Sequence, residues 1–510
     1  MFLVELPFPA ARPGDDTPGP ASAPRRVTIV GGGFAGVSAA VQLLRRSPEP
    51  LAITLIEARE RVGPGLAYAT HDPDHRLNGP TWVHSVDPLD GEHFTRWCEA
   101  HGVFEADPRA RQPGGAAFVR RAVLGAYLED QVRNHAHWAR TGGTLGTVRA
   151  RAIGAVRRGG KTVVLTDQGQ EIGGDLLLLA TGNATPRLPA PLDPALAAHP
   201  GVIENPLETA RLLDIPREAR VLVLGSGLTA LDVICTLQRQ GHTGGVVVVS
   251  RRGLRPRPQP PFNGPLPVPT GRQNLDRVLA QAPNFLLDTE PTLRAWVRAL
   301  RQQVAAARGN WYPSFDELRD SVWQLWPRLP LAQQRRFLRR LRPWYDVHRF
   351  RSPPQTEATV NAAIESGRVH HLAARLRGVR VDGQVLVAQL QGPRDAAPRE
   401  ERFDTLVNCT GLDAASRTAG NPLLQSLVAQ GWLRPDAVGV GYAVDAHCRA
   451  IGADGQVRDR VRLIGPPTLG TFGDPGGAMY IAAQIHRMVP DLLATLGVTA
   501  AAVAVDPVWG

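Results

Sequence analysis

Two glycine-rich turns in this sequence have the composition and spacing to hold a dinucleotide. The first is Gly31-Gly32-Gly33-Phe34-Ala35-Gly36, with an acid, Glu57, about 20 residues further on. In such a turn Gly31 permits the tight bend, Gly33 lets the backbone approach a pyrophosphate, and Gly36 lets a helix pack close to a sheet. The helix start offers free N–H groups and the positive end of its dipole to the phosphates. Glu57 then accepts hydrogen bonds from ribose hydroxyls. Its place at the head of the chain favours FAD over NAD, as in flavoproteins with two nucleotide sites. The second turn is Gly225-Ser226-Gly227-Leu228-Thr229-Ala230. Here the acid is replaced by Ser250-Arg251-Arg252. A carboxylate would repel a 2′-phosphate, whereas a hydroxyl and two guanidinium groups bind it, so this site reads as one for NADPH. Arginine is abundant throughout the chain, and a chance pair is the other reading.

These residues need strands and helices to hold them. Val27–Val30 is a short apolar strand entering the first turn; Phe34, Val37, Val41 and Leu44 recur at helical spacing; Leu51–Ile56 is a second strand. The second unit repeats the order with Val221–Leu224, a helix carrying Leu231, Ile234, Cys235 and Leu237, and Val246–Val249. A strand over Gly174–Leu179 runs into Ala180-Thr181-Gly182-Asn183, and Thr405–Cys409 runs into Thr410-Gly411. Paired around the second unit, these turns mark where the chain crosses between two lobes. The order predicts an α/β fold with two dinucleotide-binding, Rossmann-like domains. The FAD domain is discontinuous (26–199 and 352–510), and the NADP domain (200–351) is inserted into it with a helical insertion at 270–345. In that insertion Arg335, Arg336, Arg339, Arg340 and Arg342 read as a solvated helix face. The segment from Val461 through Gly465 to Asp474 reads as a strand and glycine turn before a helix from about Ala478 to Leu496. It is expected to close under the ribityl chain and pyrimidine ring of the flavin; a surface loop is the alternative.

Composition limits the rest. The chain has 510 residues and a net charge of +11, carried almost wholly by arginine, with Lys161 the single lysine. No apolar run approaches the ~20 residues that span a bilayer, and Met1–Arg25 reads as a disordered leader. No nucleic-acid-binding motif is present, so the charge points to anionic small molecules. Cys98, Cys235, Cys409 and Cys448 form no CxxC pair. That spacing argues against a dithiol reductase or a structural zinc site, and for a reduced, cytoplasmic chain.

Four segments add a resemblance: Arg61-Val-Gly-Pro-Gly65-Leu-Ala67-Tyr68-Ala-Thr70, His75-Arg76-Leu77-Asn78-Gly79-Pro80, Gly225–Asp232, and Phe337 through Pro343, His348 and Arg349 to Arg351. From about residue 26 to 490 the chain resembles a bacterial flavoprotein monooxygenase family that includes nitrosuccinate-forming L-aspartate N-monooxygenases and an FAD-dependent urate hydroxylase. The resemblance implies oxygen transfer from dioxygen to a small-molecule substrate through a C4a-(hydro)peroxyflavin, with an L-aspartate-like amine first and a purine second. It places Ala67, Tyr68 and Asn78 beside the flavin, and Asn78, His348 and Arg349 at the flavin–substrate junction. Interdomain packing is the other reading of His348 and Arg349. The chain departs from the family at Arg76, at Gly79-Pro80-Thr81 and at His84, where Met is more usual. Two rivals remain: an NADPH-linked reductase that oxygenates nothing, and a non-catalytic flavin-binding protein.

Overall fold

The computed structural model of the protein describes residues 23–261, 271–411 and 420–498. The expected leader up to residue 22 lies outside them. The fold is α/β and is built from two lobes of the same design. The first centres on a six-stranded sheet in the spatial order Arg449–Ile451, Val457–Leu463, Leu176–Leu179, Arg25–Val30, Leu51–Glu57, Thr144–Arg149. All neighbours are parallel except at the Arg449–Ile451 edge. Its central strands are continuous apolar runs because both faces are covered. Leu176–Leu179 is wholly buried. Helices Phe34–Arg46 and Ala478–Thr495 pack on it, as does an antiparallel meander of Ala152–Arg158, Lys161–Thr166 and Glu171–Gly174.

The second lobe repeats this plan. Its five parallel strands lie in the order Val369–Ala373, Val246–Ser250, Val221–Leu224, Thr405–Asn408, Val202–Ile203. Helices Leu228–Arg239 and Pro354–Glu365 share one core cluster with it. A meander of Arg375–Asp382, Val385–Gln391 and Arg399–Phe403 contributes to another.

Two expected boundaries are corrected by this pairing. The second lobe does not end at Arg351, because Val369–Ala373 and Thr405–Asn408 are strands of its own sheet. The return to the first sheet falls after Gly411, so the 352–510 segment is divided between the lobes. The Gly174–Leu179 strand is broken at Asp175, whose carboxylate accepts the Arg26 amide at 2.8 Å. Glu171–Gly174 belongs to the meander and Leu176–Leu179 to the sheet.

The helical insertion, with helices such as Leu293–Ala306, Tyr312–Asp320, Leu331–Arg340 and Arg342–Arg349, has its own core around Leu286, Trp296, Leu325 and Trp326. It leans on the first lobe: Trp326 donates to the Gly470 carbonyl at 2.8 Å and Arg335 to that of Ala437. Arg335, Arg336, Arg339 and Arg340 are exposed, as expected of a solvated face, while Arg342 pairs with Asp346 at 3.5 Å. All four cysteines are buried thiols.

Both glycine turns are closed by the same contact. Gly31 (φ +108°) donates to the Ile56 carbonyl, and Ala180 donates to that of Val30. Gly225 (φ +94°) donates to Val249, and Cys409 to Leu224. A Cβ on Gly31 would lie 2.2 Å from the Ala180 carbonyl oxygen, and one on Gly225 would lie 2.3 Å from that of Cys409. Gly36 sits against the turn itself, where a Cβ would be 1.9 Å from the Gly31 oxygen. By contrast nothing lies within 4 Å of a Cβ on Gly227. We therefore expect Gly36→Ala to cost about 2–4 kcal/mol in urea unfolding, and Gly227→Ala no more than about 1 kcal/mol. Equal losses at the two positions would mean that backbone crowding does not explain Gly36.

Candidate functional site

The first glycine turn opens into a cleft lined by Gly31, Glu57, Arg59, Arg151, Thr181, Gly182 and Asn421, among others. The Phe34–Arg46 helix begins at Gly33 with no side-chain cap, so its first amides remain free for a ligand. Gly33 faces the Gly63–Gly65 turn, its ideal Cβ position 3.5 Å from the Gly65 Cα. Phe34 and Ala35 turn inward and are buried. Glu57 is buried at the end of its strand. Its Oε2 accepts the Gly32 amide at 2.8 Å and its Oε1 accepts the Arg59 amide at 2.9 Å. An ionised carboxylate has about four acceptor positions, so Oε2 keeps one for a hydroxyl. Thr181 Oγ1 is buried in the same cleft without a partner among the described residues. A ribose and pyrophosphate fit this donor and acceptor set. Arg59, Arg151 and Asn421 were not singled out from sequence, because they fall outside the glycine turn and the acid that mark the motif.

The second turn has the same form. Gly227 is exposed and caps the Leu228–Arg239 helix with no side-chain partner. Leu228 and Thr229, half-buried, form the first turn of the helix. Ser250 ends its strand, and Arg251 and Arg252 follow as exposed side chains without an ion pair among the described residues. Arg252 donates to the Arg340 carbonyl at 3.3 Å, tying the insertion to this strand end, so Arg251 is the freer cation. Gly411 (φ +85°) is exposed just past the Thr405–Asn408 strand.

Between these turns, Asn78 is half-buried. Its carbonyl accepts Gln259 Nε2 at 2.6 Å, and its side-chain amide has no partner among the described residues. Ala67 is exposed, and the Tyr68 amide bonds the Pro64 carbonyl in the preceding turn. Burial raises the Tyr68 hydroxyl above its ordinary pKa. His348 and Arg349 lie in the last helix of the insertion. His348 Nδ1 bonds the Trp344 carbonyl at 2.7 Å, and the ring stands against Trp311 and Phe315. Arg349 is buried in an ion pair with Asp474 and also donates to the Gly476 carbonyl. Tyr345 donates to the same Asp474 oxygen at 3.1 Å. Arg351 is likewise paired with Asp316. Gly465 gives its amide to Gln484 Oε1 at 2.8 Å, holding the turn before the last helix. Arg76 is taken up by Asp107 at 2.8 Å and by the Phe118 carbonyl.

The comparisons with known proteins agree with this architecture. A family model described as FAD-NAD(P)-binding matches residues 28–184. The ornithine N-hydroxylase of Kutzneria sp. 744, solved with reduced FAD, NADP+ and L-ornithine, is 15% identical. It superposes with a TM-score of 0.62 over 93% of this chain and 99% of its own. The L-lysine 6-monooxygenase of Pseudomonas syringae is 17% identical, with a TM-score of 0.59 over 92% and 98%. The cadaverine monooxygenase of Erwinia amylovora, solved with FAD, is 13% identical, with a TM-score of 0.60 over 96% and 100%. No curated protein matches the chain. The chain has the two-lobed fold of these N-hydroxylating flavoproteins along almost its whole length.

The departure at His84 has a measurable consequence. His84 is buried against Phe94, and its Nδ1 bonds the Pro80 carbonyl at 2.9 Å. Desolvation lowers its pKa from 6.5 to about 4. The folded state therefore holds the neutral ring, and the unfolded chain takes up the proton first. The stability this contributes is complete above pH 6.5 and is lost as pH falls toward 4. Between pH 7 and pH 5 that loss is about 2 kcal/mol. His84→Met should remove it, leaving the variant that much less acid-sensitive than the parent in unfolding measured at the two pH values. Parallel acid losses in the two proteins would show that His84 is not held neutral.

Proposed function

We propose that the protein is an FAD-dependent, NADPH-consuming monooxygenase that oxygenates the amine nitrogen of a small amino acid, with L-aspartate the first substrate to test. The observation that supports this reading is the duplicated lobe. One glycine cradle is followed by a carboxylate and the other by Ser250-Arg251-Arg252, within a fold shared end to end with ornithine, lysine and cadaverine N-hydroxylases. Glu57, Thr181 and the free amides at Gly33–Ala35 hold FAD; Thr229, Ser250, Arg251 and the amides after Gly227 hold NADPH. FAD bound there supplies hydride acceptance and the activation of dioxygen. Asn78, whose side-chain amide has no partner among the described residues, is free to orient a substrate or flavin edge. Arg349 acts through Asp474, fixing the loop that leads into the last helix. An amine must be neutral to accept oxygen, so a pocket that desolvates the ammonium group favours the reaction, and holding it in place adds proximity. Among the described residues no helix is long and apolar enough to cross a membrane. The working location proposed here is the cytoplasm.

Purified protein should be yellow, and heat or acid should release FAD; release of FMN, or no flavin, contradicts the first site. Removing both guanidinium groups with Arg251→Ala and Arg252→Ala should raise KM for NADPH at least tenfold while leaving that for NADH nearly unchanged. Charge-assisted hydrogen bonds are worth about 1.5–3 kcal/mol each, with Arg251 carrying the larger share. An unchanged preference between the two nucleotides would place phosphate recognition elsewhere. For the chemistry, enzyme, FAD, NADPH and oxygen should convert L-aspartate to hydroxylamino, nitroso or nitro products detected by mass spectrometry. Hydrogen peroxide alone from aspartate, together with a hydroxylated product from urate, would replace the amine reading with a purine one.

A further inference from the structure

The two lobes are joined by a buried polar cluster that neither nucleotide cradle uses. Its centre is the side of the Leu228–Arg239 helix, whose N-terminus is the second phosphate cradle. Asp232, Thr236 and Arg239 lie on one face of that helix, at i, i+4 and i+7. Each meets a partner from the first lobe. Arg121 Nη2 reaches Asp232 Oδ2 at 2.8 Å. Thr236 Oγ1 donates to Asp72 Oδ2 at 2.7 Å, and Arg239 Nη2 donates to the same oxygen at 2.8 Å. Arg239 also reaches Asp74 at 3.1 Å. His75 Nε2 lies 3.0 Å from Thr236 Oγ1, and its Nδ1 lies 3.1 Å from Thr70 Oγ1. With the Thr236 proton given to Asp72, His75 donates from Nε2 to Thr236 Oγ1. Arg121 closes the cluster on the first-lobe side, its amide bonding the His75 carbonyl at 2.8 Å and its Nε that of Arg76 at 3.1 Å. Thr236 is 0% exposed, and His75, Asp232 and Asp72 are 4%, 5% and 6% exposed.

Parts of three segments singled out in the sequence, Arg61–Thr70, His75–Pro80 and Gly225–Asp232, therefore meet at one place. Burial alone would raise Asp72, yet the hydrogen bonds from Arg239 and Thr236 hold it below its ordinary pKa, so the cluster contains a settled carboxylate. Polar groups buried this way are directional. They fix an angle between surfaces, where apolar packing tolerates sliding.

We propose that this clamp positions the second nucleotide for hydride transfer: Arg121, Asp72 and His75 hold the helix carrying the phosphate cradle in the one orientation that points the nicotinamide at the flavin. Asp232, Thr236 and Arg239 are positioning residues and touch neither nucleotide. The proposal rests on the NADPH-to-FAD reading above. A helix is a stiff rod, so a small rotation at the clamp carries its N-terminus, and the nucleotide on it, through ångströms. An error of about 1 Å at the reacting atoms costs on the order of a hundredfold in rate.

The test compares wild type with Asp232→Asn, Asp232→Glu and the double variant Thr236→Val/Arg239→Gln, all as full-length holoenzyme. Hydrogen exchange should quicken at 70–76 and along 228–239 in Asp232→Asn and in the double variant, and stay unchanged in the strands at 25–30 and 221–224. Flavin reduction at saturating NADPH should slow at least tenfold in both, with the Kd for NADPH within twofold. FAD content and the reoxidation of dithionite-reduced flavin by oxygen should not change. Asp232→Glu should recover most of the rate. Unchanged exchange at the clamp, exchange rising equally in the core strands, or an unchanged reduction rate would each overturn the proposal. Wild-type flavin that NADPH does not bleach would instead overturn the functional reading, and exchange, which needs no NADPH, would still decide whether the clamp exists.

Discussion

The structure depends on a contact that involves no functional side chain. In each lobe the first glycine of the nucleotide turn lies under a carbonyl from a strand far along the chain, Ala180 over Gly31 and Cys409 over Gly225. Each glycine amide is spent on the neighbouring strand, and the distant strand returns an amide to the residue before the glycine. A side chain at either glycine would push that strand away. The strand is held there by the sheet ladder, so the turn has one geometry, and it sets where the helix that follows begins. The glycines thus tie a local bend to long-range parallel pairing, and the cradle follows from the tie. The Ala-Thr-Gly and Cys-Thr-Gly sequences are its other half, since the chain leaves each lobe only after delivering that carbonyl.

This explains what was legible beforehand. Both glycine units, their strands and the final helix carry their own periodicity, and the structure has them close to where the pattern put them. The lobe boundary did not, because Val369–Ala373 looks like any short strand following a helix. Only its pairing with Val246–Ser250 assigns it to the second lobe. The expected domain edge at Arg351 marks only where the chain leaves the insertion, since two more strands of the second lobe follow it. The interlobe cluster was hidden for a different reason. Apolar periodicity identifies the buried face of a helix, and Asp232 and Thr236 are buried polar residues on a face that such a reading assigns to solvent.

The helical insertion shows the same limit in reverse. His348 and Arg349 stood out as chemistry-bearing types; in the structure His348 lies against Trp311 and Phe315, and Arg349 pairs with Asp474. The insertion uses Arg349, with Trp326, to grip the loop between the last strand and the last helix of the first lobe. A segment inserted in the chain between two strands of one lobe is thus structurally an appendage of the other. The insertion and the interlobe cluster together bridge the lobes at well-separated points of the chain.

The four cysteines have a consequence for durability. Each thiol is buried, and burial raises its pKa, to about 12 for Cys98 and for Cys448. Cys235 and Cys409 are pushed up by the same cause. Oxidants attack the thiolate, not the thiol. Cys235 lies in the second cradle's helix, and Cys409 supplies the carbonyl that closes its turn. Sulfur at these positions meets any peroxide in its least reactive form, so the parts of the fold that oxidation would most readily distort are chemically passive.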